Sequence, residues 1–296
     1  MISIVVITYN RSELLKRTLI SILDQSFTDF EIILVDDGST DNTFEMIESL
    51  NDKRIRYLNQ GRIGNLSKLR NIGILKSEKD FIAFCDDDDL WDKDKLKVQI
   101  KSAETRDFVC SNAKVIDIND KEIKEKYFDD INNSFEITYD FLLSNGNCIL
   151  TSSCLIRREL LINNDLFFDE IKFTNFCEDF ELFIRISKHS NIYFEDRNLI
   201  LKRAHESVSG GLDNNIKMLK ASIDILNTYK HNSALEKKYR NKATVGILGY
   251  KMLLVKFGFK KSIYTGLKRI FILLFYLFNP LNFIIFVRKK FLPKLS

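Results

Sequence analysis

The sequence predicts an α/β protein: a Rossmann-like, mostly parallel central sheet flanked by helices, with a helical C-terminal extension. Three observations carry that prediction. Over roughly the first 85 residues, short continuous runs of apolar and β-branched residues alternate with amphipathic helical stretches. Polar and acidic clusters stand where those runs end, the place at which such sheets bind ligands. The charge is also uneven: 14 of the 45 Lys and Arg lie from Lys237 onward with no Asp or Glu among them, leaving 31 basic against 41 acidic residues before that point. A different partner is therefore expected for each part.

Each element follows from its residues. Ser3–Thr8 (SIVVIT) has the continuous apolar character of a strand covered on both faces. Beyond the Tyr9–Asn10 turn, Leu15, Leu19, Ile22 and Leu23 fall on one helical face. Glu31–Val35 predicts a second strand, running into Asp36-Asp37-Gly38-Ser39, and Thr43–Leu50 a second helix. Ile55–Leu58 follows as a third strand, then a helix over Asn65–Lys76 with Leu66, Leu69, Ile72 and Gly73 inward. A fourth strand, Phe81–Phe84, ends at four consecutive aspartates. Further on, Ile137–Leu143 reads as a short helix, Cys148–Ile156 as an apolar strand, and Tyr127-Phe128-Asp129-Asp130 as a polar-aromatic loop.

At 296 residues and 45% apolar content the chain can bury one large core with an appendage. Its five cysteines are odd in number and scattered without a C-x-x-C pair, which argues for a reducing compartment and against a disulfide framework or structural zinc. The N-terminus has no basic n-region or long apolar stretch, so export is not expected.

The stretch FCDDDDLW (84–91) poses the functional question, because four adjacent carboxylates repel one another unless a positive partner holds them. Three polar clusters converge on one rim: Thr8-Tyr9-Asn10, Asp36-Asp37 and Asp86 to Asp89. Oxygen donors without thiolates suit Mg2+ or Mn2+ shared with a substrate's phosphates, so the expected partner is a divalent ion carrying a diphosphate.

The opening stretch ISIVVITYNRSELLKRTLISILDQSFTDFEIILVDDGSTDNT closely resembles that of family 2 glycosyltransferases, inverting enzymes with the A-type nucleotide-sugar fold. Further family patterns recur in order: Gly64 with Leu69-Arg70-Asn71 and Gly73, FIAFCDDDDLWDKDKL, and Cys177-Glu178-Asp179 leading into ELFIRIS. The resemblance runs to about residue 210. It implies a catalytic domain over 1–210, with a nucleotide-sugar half (1–100) and an acceptor half (101–210). A helical extension (211–262) and a basic, aromatic segment (263–296) follow.

Carried over residue by residue, the resemblance implies that Thr8, Tyr9, Asn10, Asp36 and Asp37 hold the nucleotide, with Asp37 accepting from the base. Arg70 and Asn71 would close over it. Asp86 or Asp87 would hold the ribose or donor sugar, and Asp88 would ligate the metal. Asp179, with Glu178 beside it, would be the general base that takes the acceptor hydroxyl's proton. Arg203-Ala204-His205 resembles an R-x-H element that some members place near the diphosphate, which makes His205 a further metal candidate. The implied donor is a nucleotide diphosphate sugar, chiefly a UDP-sugar, and the implied acceptor a saccharide, lipid-linked, in bacterial surface-polysaccharide synthesis.

Plainer readings stand beside these. Asp36 to Ser39 also suits a turn with a helix cap. Asp89, Asp92 and Asp94 are expected to cap and solvate the next helix, Trp91 to anchor packing, and Glu178 to cap its own helix. His189 and His231 read as surface residues. A metal-dependent phosphatase, a receiver domain and a non-catalytic nucleotide-binding module are the alternatives. The first two need an aspartate or lysine where this chain has none, strand one ending in Thr-Tyr-Asn.

The basic segment decides the last partner. Ile270–Phe278 is an unbroken apolar run, interrupted by Asn279-Pro280 and flanked by Lys268-Arg269 and Arg288-Lys289-Lys290. No 20-residue apolar span exists, so a crossing helix is not expected. The pattern suits a hairpin lying at the cytoplasmic face of the cell membrane, with a buried helix pair or a homodimer contact as the plainer role. So much apolar surface argues against nucleic acid.

Overall fold

The computed structural model describes residues 1–173, 176–204, 212–261 and 270. Strand β1 (Ile2–Thr8) is buried along its whole length because a strand pairs on either side of it: β2 (Phe30–Asp36) and β4 (Phe81–Asp86), both parallel. Helix α1 (Ser12–Leu23) connects β1 to β2 and buries Leu15, Thr18, Leu19 and Ile22. Helix α2 (Thr43–Leu50) leads to β3 (Ile55–Asn59), which pairs parallel with β2. Helix α3 (Leu66–Lys76) then returns the chain to β4. At Gly73 it lies so close to the sheet that a Cβ would collide with the Val5 side chain.

The strand order β3-β2-β1-β4 reverses direction at β1, and that switch point is where an α/β sheet opens a crevice at its carboxyl edge. Thr8 pairs in register with Asp36, and Ile7 with Asp86, so the three clusters foreseen from sequence do share one edge.

The second half of the sheet is mixed. After β5 (Leu90–Trp91) and α4 (Lys95–Ser102) comes β6 (Phe108–Ile116), then the short strands β7 (Glu122–Lys124) and β8 (Phe135–Ile137). Helix α5 (Tyr139–Asn145) follows. The helix read over 137–143 thus begins two residues later, because Ile137 pairs with Ile192 in the sheet. The strand read over 148–156 is also corrected. Thr151–Ser153 forms a 3₁₀ turn, and only Leu155–Arg157 (β9) is extended, bridging β4 and β6 antiparallel. Helices α6 (Arg158–Asn163) and α7 (Glu178–Ile186) precede β10 (Ile192–Arg203), which runs parallel to β6 and antiparallel to β5 and β8. Phe180, Leu182, Phe183, Ile184 and Ile186 of α7 are buried.

The chain divides into two units, 1–138 with 148–205, and 139–147 with 206–296. In the second, α8 (Leu212–Lys230) packs on α9 (Lys237–Lys261). A Cβ at Gly246 would meet the Leu143 carbonyl, so α9 also lies tight against α5. No helix of the described residues is long and apolar enough to cross a membrane. The segment on which the membrane expectation rests lies, Ile270 apart, outside the described residues, and so does His205.

Candidate active site

The acids at the carboxyl edge are buried, Asp86 only partly, and each has a protein partner. On the β2 side, Asp36 accepts from the Ser39 amide and hydroxyl (2.9 and 2.7 Å) and from the Tyr57 hydroxyl (2.6 Å). Burial, followed by that carboxylate, raises the Tyr57 phenol well above its usual range. Asp37 accepts from the Ile63 and Gly64 amides and pairs with Arg62, whose guanidinium lies 3.8 Å over the Tyr9 ring. Asn10, in the left-handed region at φ 51°, accepts from the Thr40 amide and ties the β1 turn to the 36–40 loop.

Three cations hold the aspartate run. Arg11 Nη1 donates to Asp87 (2.9 Å) and to Asp88 (2.8 Å), while Thr8 Oγ1 also donates to Asp87 (2.8 Å). Lys202, near the end of β10, places Nζ 3.2 Å from Asp86 and 3.0 Å from Asp89. Arg70 on α3 joins Asp86 (3.1 Å) to Glu178 (2.5 Å). Asp89 also accepts from Ser152 Oγ (2.6 Å) and the Arg203 amide (3.1 Å) and is wholly buried. The expectation that Asp89 solvates the next helix is therefore overturned: with no water to hydrate it, this carboxylate needs its internal donors.

The electrostatics follow from burial and these partners. Burial pushes Asp87 up to about 6 against the pull of Arg11, with Asp88 adding to the rise. Asp89 is likewise raised to about 6 by burial, although Lys202 opposes it. Burial also works to raise Asp86, but Lys202 and Arg70 outweigh it and hold that group below its ordinary value. Lys202 itself stays charged, because Asp89, Asp86 and Asp88 more than offset its desolvation.

Glu178 and Asp179 open α7. Glu178, in the first turn of the helix as expected of a carboxylate near a helix N-terminus, pairs with Arg70, while Cys177 occupies the cap position with φ 61°. Asp179 accepts from Thr151 Oγ1 (2.9 Å). Burial raises its carboxyl above the usual range despite that bond and the nearby Arg70. One guanidinium, Arg70, thus connects the aspartate run to the Glu178–Asp179 pair. Asn71 turns elsewhere: its amide group donates to Phe168 O (2.9 Å) and Glu170 (2.7 Å) and accepts from the Phe168 amide, bracing residues 168–170.

Sequence reasoning missed Arg11, Lys202 and the turn at 151–153, whose Thr151 and Ser152 hydroxyls serve Asp179 and Asp89. Two of the three left a trace: Lys-Arg ends the apolar run LILKR, and Thr-Ser-Ser interrupts another. Trp91 is 4% exposed and sits in the core, as its packing role required. His189 and His231 are exposed.

Asp86, Asp88 and Asp89 each offer a carboxylate oxygen within 4.8 Å of the others. This all-oxygen set fits a hard divalent ion such as Mg2+ or Mn2+.

Solved structures share the architecture. Staphylococcus aureus TarS 1–349, in complex with UDP-GlcNAc, superposes with a TM-score of 0.68 at 22% identity, covering 88% of this chain and 76% of that one. The mannosyltransferase PcManGT from Pyrobaculum calidifontis, in complex with GDP-Man and Mn2+, gives 0.58 at 14% identity over 97% and 84%. The fold is that of the A-type glycosyltransferases. The model of "Glycosyl transferase family 2" matches residues 3–164, and the chain belongs to that family. An uncharacterized glycosyltransferase of Rickettsia felis is 31% identical over 227 residues, 76% of this chain and 36% of that protein. The Escherichia coli WfgD, a UDP-Glc:alpha-D-GlcNAc-diphosphoundecaprenol beta-1,3-glucosyltransferase, is 28% identical over 78% of this chain and 87% of its own length. The chain spans about a third of the Rickettsia felis protein's length.

Proposed function

We propose that this chain transfers a sugar from a UDP-sugar to a lipid-linked saccharide with inversion at the anomeric carbon. The observation that carries the reading is Arg70, which links the diphosphate-side acids to a partly buried, base-like Asp179 through Asp86 and Glu178. The E. coli relative's name pairs UDP-Glc with a diphosphoundecaprenol-linked acceptor, and TarS binds UDP-GlcNAc, which supports the substrate classes.

In this reading Asp37 accepts from the base, Tyr9 offers it a face, and Asp87, held by Thr8, receives the ribose or donor sugar. Asp179, oriented by Thr151, takes the proton of the acceptor hydroxyl as its oxygen bonds to the anomeric carbon. The bond from that carbon to the diphosphate oxygen breaks, and nucleoside diphosphate leaves. A single displacement by one carboxylate base gives inversion. Asp88 would hold Mg2+ or Mn2+, which when bound neutralises charge on the departing diphosphate.

A panel of nucleotide sugars offered with Mn2+, scored for release of nucleoside diphosphate and for the product anomer by NMR, tests the proposal. Asp179→Asn is expected to keep nucleotide binding and lose transfer by roughly 10²–10⁴-fold. A retained configuration refutes the base assignment. Asp88→Ala and chelation should each abolish turnover, and full activity in excess EDTA refutes the metal assignment.

The surface-polysaccharide setting rests on the basic, aromatic composition of residues 263–296 and on the lipid-linked acceptor of the E. coli relative. Truncation after Lys261 should release the protein from anionic liposomes in a flotation assay while donor hydrolysis persists. Equal flotation of both forms refutes the membrane role.

A further inference from the structure

The trio Asp86, Asp88 and Asp89 has the spacing of a cation site, and a cation of the chain already touches two of its members. Lys202 Nζ is 3.2 Å from Asp86 and 3.0 Å from Asp89. A divalent ion bound by all three acids would need the space and the carboxylate oxygens that the ammonium holds.

Two of the cations of the run, Arg11 and Lys202, differ in how they are held. Arg11 comes from the turn after β1, is 32% exposed, and reaches Asp87 and Asp88 through a single nitrogen. It can swing into solvent when another cation takes over Asp88. Lys202 comes from within β10, in register with Val115, and is 17% exposed. The amide of the next residue, Arg203, is bonded to Asp89, and the Arg203 guanidinium to the Asp88 carbonyl (2.9 Å). That end of β10 is fastened to the run at several points, which holds the backbone of its lysine beside the two carboxylates.

We infer that Lys202 is a resident cation of the acidic rim, a positioning residue that reserves Asp86 and Asp89 and so makes divalent-metal uptake depend on a diphosphate arriving with the ion. Asp88, which pairs with the displaceable Arg11, is then the carboxylate handed over on binding. With Asp86 and Asp89 reserved, an ion arriving alone meets too few oxygen ligands and too much positive charge. An ion already bearing a nucleoside diphosphate brings both ligands and negative charge.

The inference rests on the reading of Asp88 as metal ligand, and its test separates the two. Mn2+ binding to the full chain is followed by electron paramagnetic resonance of the free ion, with and without UDP, together with thermal melts. Wild type and Lys202→Arg should take up Mn2+ markedly better with UDP. Lys202→Met should bind Mn2+ without UDP about tenfold or more tightly than wild type, since a fixed charge a few ångströms from the ion is removed. Its melting temperature should rise with Mn2+ by more than that of wild type.

Equal UDP-free Mn2+ affinity in Lys202→Met and wild type overturns the inference, as does wild type binding Mn2+ equally well with and without UDP. If Lys202→Met unfolds without metal, its recovery on adding Mn2+ supports the inference and its failure to recover overturns it. If wild type takes up no Mn2+ even with UDP, the metal assignment of the proposed function fails, and Lys202→Met alone decides the role of the lysine.

Discussion

Lys95 is wholly buried and Lys202 largely so, and they meet opposite surroundings. Lys202 lies between two carboxylates, and the attraction exceeds its desolvation, so its charge is secured. Lys95, on α4 beneath the rim, is wholly buried, and the partners of its Nζ are the Gln99 amide oxygen at 2.7 Å and the Trp91 ring at 3.9 Å. Burial lowers its pKa to about 7. The same side chain is a fixed charge in one place and a titrating group in the other. Burial therefore does not decide what an ionisable residue does until its counter-charges are counted.

Three experiments break or sharpen that contrast. The largest effect is expected at the rim. Lys202→Met leaves the wholly buried Asp89 without its ammonium and should cost about 3–5 kcal/mol in chemical denaturation, whereas Lys202→Arg should cost far less. A loss as small as that of a surface substitution would remove the contrast.

Lys95→Met should act with the opposite sign. The folded pKa of Lys95 lies below its unfolded value, so between about pH 7 and 10.5 the unfolded chain holds a proton that the folded chain does not. Raising the pH through that window favours folding by up to ~1.4 kcal/mol per unit. At pH 6, where both states are charged, Lys95→Met should stabilise by roughly 1–3 kcal/mol after the lost Gln99 hydrogen bond is allowed for. That gain should shrink as pH rises, and a pH-independent difference would show that Lys95 does not titrate there.

The smallest effect concerns Asp179, held by the Thr151 hydroxyl and the Phe180 amide rather than by a dedicated charge. The Thr151 bond lowers a carboxyl that burial raises. Thr151→Val should accordingly move the acidic limb of kcat/KM to higher pH by about one unit or less. A limb that stays in place or moves down would mean that Thr151 does not tune the base.

The first half of the fold was readable because parallel strands covered on both faces are written as unbroken apolar runs, and β1, β2 and β4 follow that rule. Residues 148–157 broke it. Their apolar run spans a 3₁₀ turn whose hydroxyls point into the site, and nothing in local periodicity separates that from a strand. The acids of the candidate site were visible as clusters at strand ends. Their cations were not: Lys202 lies 113 residues along the chain from Asp89, and Arg11 lies 76 from Asp87. Only the sheet order brings them together. Asp89 shows the same limit, since an aspartate before a helix reads as a solvated cap until its burial is known.

Gly73 sets a tolerance for the whole rim. Arg70 stands one helical turn before it on α3, and the glycine lets that helix seat directly on Val5 of β1. Even a methyl group there must lift the helix or tilt it. Arg70, whose two nitrogens span Asp86 and Glu178, would be withdrawn from both at once. The reach of one guanidinium is thus calibrated by an atom that is absent, and a change as mild as glycine to alanine, made where the helix meets the sheet, would be felt as a misaligned site.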